Sequence, residues 1–314
     1  MAEKAKAIAL FSGGLDSRLA IKILQEQNID VESLSLHLPF GGSCCKTTCS
    51  FNFTQTQNIK SKILDCTSGE LFKEYIELVK NPKHGRGSGM NPCIDCKKFI
   101  FEKAKDRMED TKADFIATGE VIGQRPMSQH KDALNIIEEE SGLKGKVLRP
   151  LSAKLLPETE AEKKKLIDRD KLLNIHGRSR KKQIELAEKY DIKYPNPGGG
   201  CLLCEKEFAQ RLKDLFKIKD YKKVEFRDIE LLRLGRHFFI DKSIIIVGRN
   251  KEENEKIAVL GDIKMEVKDI PSPIVTIMGE INEKIMKKAK ELTIKYSSAE
   301  KLRKCNPEII IKNE

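Results

Sequence analysis

One short stretch constrains this chain more than any other: Ser12-Gly13-Gly14-Leu15-Asp16-Ser17. Before it, Ala5–Phe11 (AKAIALF) reads as a short buried strand. After it, Arg18–Gln25 continues with helical periodicity, and Val31–Leu38 reads as a second strand. Strand, glycine loop, helix, strand is the opening of a parallel α/β sheet. A loop in that position points its backbone N–H groups into one concavity, and the helix dipole adds partial positive charge. Glycine lets the backbone come close to an anion. The serines add hydroxyl donors, and Asp16 is suited to hold Mg²⁺. A bare Gly-Gly would be an ordinary tight turn; the full hexapeptide in this context points to phosphate. It lacks the GK[ST] ending of a Walker loop and is not a dinucleotide GxGxxG.

Further along, Phe115–Thr118 reads as a later strand ending in Gly119. Helices are expected at Glu70–Lys80, Cys96–Glu109 and Gln129–Glu140. The charged stretch Glu158–Lys189 reads as a solvated helical pair. It contains a compact basic cluster, Gly177-Arg178-Ser179-Arg180-Lys181-Lys182. Tyr194–Cys201 carries two prolines and three glycines, a structured loop that delivers a cysteine. Composition shifts near Tyr221. Beyond it, Arg236–Ile240 and Ser243–Val247, split by Asp241-Lys242, read as a hairpin, with helices at Glu252–Leu260 and Glu283–Tyr296. The expected domains are therefore 1–220 and a smaller α+β domain, 221–314.

The chain has 314 residues and a formal charge of +11. A basic balance suits nucleic acid, because each cation near a phosphate releases a counterion. A Lys-rich solvated surface is the ordinary alternative. No apolar run is long enough to span a membrane. The polar start Met1–Lys6 leads straight into a strand, so no signal peptide is read and a cytoplasmic location is expected.

Nine cysteines are present, several of them clustered: Cys44, Cys45 and Cys49; Cys93 and Cys96; Cys201 and Cys204. In a reducing compartment such clusters point to metal, iron–sulfur or sulfur-transfer chemistry. Asn91-Pro92-Cys93-Ile94-Asp95-Cys96-Lys97 stands just before a helix, where the N-terminus favours thiolate. Cys201 is the natural third member. Four readings compete: a zinc site closed by Cys93, Cys96, Cys201 and Cys204; an iron–sulfur cluster on three cysteines with one iron open; a persulfide with a resolving thiol; and unremarkable buried cysteines.

The SGGLDS string resembles the signature of PP-loop ATP pyrophosphatases, which cleave ATP to AMP and pyrophosphate and activate a carbonyl oxygen as an adenylate. With NPCIDC, ADFIATGE and PGGGC in this order, the chain looks like the tRNA thiouridine synthetases over about residues 5–217. Gly119–Gln129 (GEVIGQRPMSQ) and Leu148–Lys154 (LRPLSAK) fit the same branch. The resemblance implies a five-stranded parallel sheet with ATP bound by Ser12, Gly13, Gly14, Leu15, Asp16 and Ser17 and bordered by Gly119 and Glu120. It implies a [4Fe–4S] cluster on Cys93, Cys96 and Cys201, tRNA as substrate, and sulfide or a cysteine desulfurase as sulfur donor. Cys204 departs from the pattern; as a fourth ligand it would close the cluster. Cys44 and Cys45 lie near the expected ATP edge, where they would relay sulfur, bind a second metal or be local thiols without a role. Residues 225–314 resemble, more weakly, the NFACT-R-like RNA-binding domain, through Asp228–Arg233, Gly235-Arg236-His237, Val247-Gly248-Arg249-Asn250 with Asn254, and Tyr296-Ser297-Ser298-Ala299. A folding or dimerisation appendage is the alternative there, which leaves a homodimer open.

The expected chemistry is thus ATP-dependent tRNA uridine thiolation. Asp16, Cys93, Cys96 and Cys201 are the catalytic residues. Arg149, Lys154, Arg178, Arg180, Arg236 and Arg249 are the contacts to tRNA or phosphate. The alternatives are a PP-loop amide ligase or small-molecule sulfur transferase, and a zinc-stabilised tRNA-binding protein without catalysis.

Overall fold

Five short strands, β1 (Lys6–Leu10), β2 (Asp30–His37), β3 (Lys60–Asp65), β4 (Phe115–Thr118) and β5 (Val147–Leu148), form one parallel sheet in the order β3-β2-β1-β4-β5. The structure is a computed structural model that describes residues 4–41, 53–195, 200–298 and 307–313. Cys44, Cys45 and Cys49 lie outside the described residues, as does Ala299.

The sheet grows outward from β1 in two directions, so the switch point falls between β1 and β4. Ligands of such folds bind beyond the strand ends at that crevice. The final pair of the register is Leu10 with Thr118, which sets the two following loops side by side.

Alternation along β1 explains the layering. Ala7 and Ala9 face one side and pack with Leu15, Leu19 and Ile23 of α1 (Leu15–Gln25) and with Phe115 and Ala117. Ile8 faces the other side and joins Leu34, Phe101, Ala104, Ile116 and Ile137. That second layer comes from α2 (Gly69–Lys80), α3 (Cys93–Thr111) and α4 (Lys131–Glu140). The small alanines admit the helix closely; the larger Ile8 fills the opposite layer.

Between 158 and 189 the helical pair is largely replaced by extended chain. Only α5 (Glu160–Lys163) and α6 (Lys181–Lys189) are helical, with a single 3₁₀ turn at Arg169–Lys171. Lys165 takes φ 57°, the left-handed region, which ends α5. Ile167, Leu172 and Ile175 then enter the core without helical spacing. Backbone N–H groups of Leu173 and Ile175 donate to Pro150 and Leu151 at 2.9 and 2.8 Å, so the segment lies beside the chain that follows β5.

The chain divides into two compact units, Met1–Leu202 and Leu203–Glu314. This places the division earlier than the expected 220. Helix α7 (Lys206–Ile218) buries Phe208, Ala209, Leu212 and Leu215 and packs on α8 (Phe226–Arg233) and β7, so it groups with the C-terminal unit. That unit is an antiparallel sheet, β10-β8-β9-β7-β6, of β6 (Arg236–Ile240), β7 (Ser243–Val247), β8 (Ile263–Val267), β9 (Val275–Gly279) and β10 (Ile309–Asn313). The β6–β7 hairpin turns at Asp241, whose φ is 50°. Helices α9 (Lys251–Leu260) and α10 (Glu283–Lys295) start at Asn250 and Asn282, whose side chains cap them. Ile285, Ala289 and Leu292 of α10 pack on Ile245, Val247, Met265 and Val275. Among the described residues, no helix is long and apolar enough to cross a membrane.

Candidate active site

Ser12–Ser17 joins the end of β1 to the start of α1, as its sequence requires. Gly13 has φ 75°, a conformation that L side chains rarely adopt. Ser17 Oγ donates to the Gly14 carbonyl at 2.9 Å and accepts from Ser12 Oγ at 3.4 Å. Arg18 is buried, 4% exposed, with its Nε donating to the Gly13 carbonyl at 2.8 Å. Its Nη1 donates to the Lys193 carbonyl, also at 2.8 Å, and its guanidinium stacks 4.7 Å from the Phe53 ring centre. Arg18 therefore occupies a loop carbonyl from within the fold. In sequence, an arginine in a first helical turn reads as surface.

Gly119 lies against this loop. A Cβ there would stand 2.5 Å from Asp16 C and Ser17 N and 2.6 Å from the Asp16 carbonyl oxygen. All three are backbone atoms and cannot swing aside. Gly119→Ala is expected to cost about 3 kcal/mol through overpacking. That lowers the melting temperature by roughly 6–12 °C and weakens ATP binding; an unchanged melting curve and an unchanged affinity would reject the close approach.

Asp16 sits in the first turn of α1. Its Oδ2 accepts from Gln124 Nε2 at 2.7 Å, and Gln124 Oε1 accepts from Gln183 Nε2 of α6 at 3.0 Å. Asp16 Oδ1 is buried without a partner. A buried carboxylate oxygen left unmatched is costly, and a cation supplies the missing interaction. The residues present thus fit Mg²⁺ at Asp16. Gln183 is fully buried. Gln124 and Gln183 are polar residues that sequence alone could not bring to Asp16.

Glu120 is 3% exposed. It pairs with Lys97 Nζ at 3.0 Å and Arg149 Nε at 3.1 Å. Burial works against its charge, yet Lys97 and Arg149 outweigh it and hold the carboxyl below the usual range. Arg149, 2% exposed, also pairs with Glu138, and its Nη2 is buried without a partner. Arg149 is therefore an internal residue joined to the carboxylate that follows Gly119, not a surface cation facing tRNA.

The cysteine pair opens α3. Asn91 Oδ1 accepts from the Gly89 N–H at 3.1 Å, which fixes the amide so that Nδ2 donates to Cys93 Sγ at 3.1 Å. Gly87 leaves room for this: a Cβ there would lie 2.2 Å from Asn91 Nδ2. Tyr75, 1% exposed, meets Cys96 Sγ at 3.1 Å and stacks edge-on with Phe99 and tilted with Phe40. Its phenol is held protonated, first by burial and then by the charge of Cys96 and Cys201, and either the phenol or the thiol supplies the hydrogen between them. Cys201 thus stands in the neighbourhood of the same phenol; the next residue, Leu202, donates its N–H to the Phe40 carbonyl at 3.1 Å. Burial raises the Cys96 thiol, against the lowering that a helix N-terminus was expected to give. Tyr75 and Lys97 oppose that rise in part. Asp95, between the cysteines, is buried against His84 and accepts from the backbone N–H groups of Lys83 and His84.

Three soft sulfur donors suit iron or zinc chemically. Their placement does not: among the described residues, no group of three or more His, Cys, Asp or Glu is arranged to hold a metal ion. Cys204, exposed, ends the 3₁₀ turn Leu202–Cys204.

The basic residues are scattered. Arg178 is exposed, and Arg180 is half-buried with its Nε unpartnered. Lys154 Nζ donates to the Asp170 carbonyl at 2.8 Å. In the C-terminal unit Arg236 lies 4.8 Å from the Tyr296 ring centre, and Arg249 is tied to Glu253.

Residues 5–158 match the family model of the tRNA methyl transferase HUP domain. Residues 235–314 match the NFACT protein RNA binding domain. The tRNA-specific 2-thiouridylase MnmA of Pelotomaculum thermopropionicum is 28% identical over 130 residues, 37% of this chain and 35% of that protein. Its counterpart from Clostridium acetobutylicum is 29% identical over 126 residues, 36% and 35% of the two chains. The chain thus joins a HUP domain of the tRNA methyl transferase type to a C-terminal NFACT-type RNA binding domain. It is similar to tRNA-specific 2-thiouridylases and spans about a third of the length of these curated relatives. A solved 4-thiouridine synthetase–RNA complex with bound ATP aligns with a TM-score of 0.44 and 20% identity, over 64% of this chain and 46% of that one.

Proposed function

We propose that this chain uses ATP to adenylate a uridine carbonyl in tRNA and then exchanges the oxygen for sulfur. The observation that carries the reading is the unmatched Asp16 Oδ1 beside a glycine loop at a helix N-terminus. Phosphate oxygens would accept from the loop N–H groups, and Asp16 would hold Mg²⁺, which would supply positive charge to offset that of the phosphates. Gly119, with no side chain, keeps the strand end open to the nucleotide. Adenylation turns a poor leaving oxygen into AMP.

Sulfur then comes from the Cys93, Cys96 and Cys201 centre. The Cys201 thiolate takes a sulfane sulfur from a donor protein's persulfide, leaving the donor thiol; the resulting Cys201 persulfide attacks the activated ring carbon and AMP leaves. A neighbouring thiolate next attacks the Cys201 sulfur, which frees the thiouridine and leaves a disulfide. Asn91 supports this chemistry by donating to the sulfur of Cys93, and Tyr75 by its hydrogen bond with the sulfur of Cys96. The family resemblance implies a [4Fe–4S] cluster on the same three cysteines; no step is routed through it, because their present placement does not gather them around one ion. The loop N–H groups stabilise charge as it develops on the phosphates, and Mg²⁺ held by Asp16 would add Lewis-acid charge there.

The test is incubation of the full chain with ATP, Mg²⁺, a sulfur donor and unmodified tRNA, followed by nucleoside mass spectrometry. The expected product is AMP with either 2-thiouridine or 4-thiouridine, which the masses and retention separate by ring position. AMP formed with a small amine or thiol acceptor, and no thiolated nucleoside, would favour the amide ligase or small-molecule sulfur transferase. One tight zinc without ATP turnover would favour the non-catalytic tRNA-binding protein.

A further inference from the structure

The C-terminal unit contains a pocket of about 300 Å³ whose walls include Gln210, Arg211 and Asp214 of α7 and His237 and Phe239 of β6. Its chemistry is uneven. His237 Nε2 lies 2.8 Å from the Leu234 carbonyl, which can only accept, so Nε2 carries the proton. Burial, and then the Arg211 charge, push the His237 imidazolium down to about 4, so the ring is neutral near pH 7. Nδ1 is then a bare acceptor, buried and without a partner. Asp214 adds a carboxylate, with Oδ1 accepting from Gln210 at 3.0 Å and Lys217 at 2.7 Å. Arg211 supplies a guanidinium whose Nη1 is anchored on the Leu232 carbonyl at 3.0 Å. Phe239 is 41% exposed, with Lys217 Nζ 5.0 Å from its ring centre.

An exposed aromatic plate beside acceptor-rich walls suits a flat ligand with N–H donors. Glu207 lines the pocket as well; with Arg211 tied to the Leu232 carbonyl and Lys217 to Asp214, the Glu207 carboxylate and the His237 lone pair are left to disfavour a free phosphate. An unmatched buried acceptor also favours a ligand that brings a donor to it, since no water bond is given up. We propose that this pocket binds one unstacked nucleobase bearing an exocyclic amine, with its ring on Phe239 and its amine facing His237 and Asp214. Uracil, which lacks that amine, is the disfavoured base. Single-stranded RNA is the source, because duplex bases do not expose their faces. The inference rests on the RNA-binding reading of the C-terminal unit and not on thiolation.

The experiment is fluorescence anisotropy of the full chain with labelled RNA hexamers of adenine, cytosine or uracil. Adenine and cytosine hexamers are expected to bind several-fold more tightly than uracil. Phe239→Ala is expected to weaken adenine binding about tenfold, and its exposed position spares the fold. Asp214→Asn is expected to narrow the difference between adenine and uracil. Inorganic phosphate is expected to leave adenine binding unchanged. Equal affinity for all three hexamers, an unchanged Phe239→Ala variant, or displacement by phosphate would each overturn the assignment. If the chain still binds tRNA in such a case, only the base pocket falls; if it binds no RNA at all, the RNA-binding reading falls with it.

Discussion

Replacing Asp16 by alanine is expected to lower AMP formation by at least about a hundredfold, the scale on which a single preorganised charge-stabilising group acts. Binding of tRNA should change little. The reasoning is local. One oxygen of Asp16 is already committed to Gln124, at 2.7 Å, and the other has no partner. On the proposed function, removing the carboxylate would remove the ion's anchor but leave the loop N–H groups, which would make most of the phosphate contact. ATP affinity should therefore fall less than turnover. Asp16→Asn is the sharper variant, since it keeps the shape and the acceptor for Gln124 while losing the charge. Equal turnover in wild type and Asp16→Asn, measured by AMP release at saturating Mg²⁺, would remove Asp16 from the chemistry.

Cys93→Ala is expected to abolish thiolated nucleoside in tRNA while AMP formation without sulfur transfer persists. The two activities separate because the sulfur centre and the phosphate loop are built from different elements: α3 with the chain around Cys201, and β1 with α1. Asn91 would lose its sulfur acceptor but keep its bond from Gly89, so the start of α3 should hold. Tyr75→Phe offers a graded version. It removes the hydroxyl that hydrogen-bonds with Cys96, at 3.1 Å, and leaves the ring packed on Phe99. Thiolation should drop by several-fold rather than vanish. The same preparations, purified without oxygen, address the cluster directly: brown protein with bound iron that Cys93→Ala bleaches would reinstate the cluster, and colourless active protein would leave the persulfide. Full thiolation by Cys93→Ala would dismiss this cysteine from either scheme.

The parts of this molecule legible in the sequence are those whose signal is local. The glycine loop announces itself because a strand, a turn and a helix each follow their own short-range rules within Ala5–Gln25. The β6–β7 hairpin is legible for the same reason, with Asp241-Lys242 between two apolar runs. β3 was not read, because as an edge strand it is mostly exposed and reads Lys-Ser-Lys, without alternation. The run from 158 to 189 misled because lysine and glutamate favour helix, while Ile167, Leu172 and Ile175 were recruited to the core at irregular spacing. In the site, motif residues were found and their partners were not. Gln124, Gln183, Arg18 and Tyr75 owe their places to contacts across many residues, and nothing near them in sequence marks those contacts. Arg149 shows the converse: a cation beside a motif reads as a phosphate ligand until Glu120 and Glu138 are seen to enclose it.

The strands of the parallel sheet are complete by Leu148, but the cradle beside them is not. Its last supports are Gln183, which reaches Asp16 through Gln124, and the Lys193 carbonyl, which holds Arg18 and through it the Gly13 carbonyl. On the ribosome, a nascent chain released only as far as β5 would possess every strand of that sheet and the whole glycine loop, with Arg18 already on the Gly13 carbonyl and the Phe53 ring but without its Lys193 contact, and Gln124 still lacking its second amide. The full set of contacts around the loop therefore arrives some forty-five residues after the sheet does (193 against 148), as a late long-range closure rather than as part of the first-formed core.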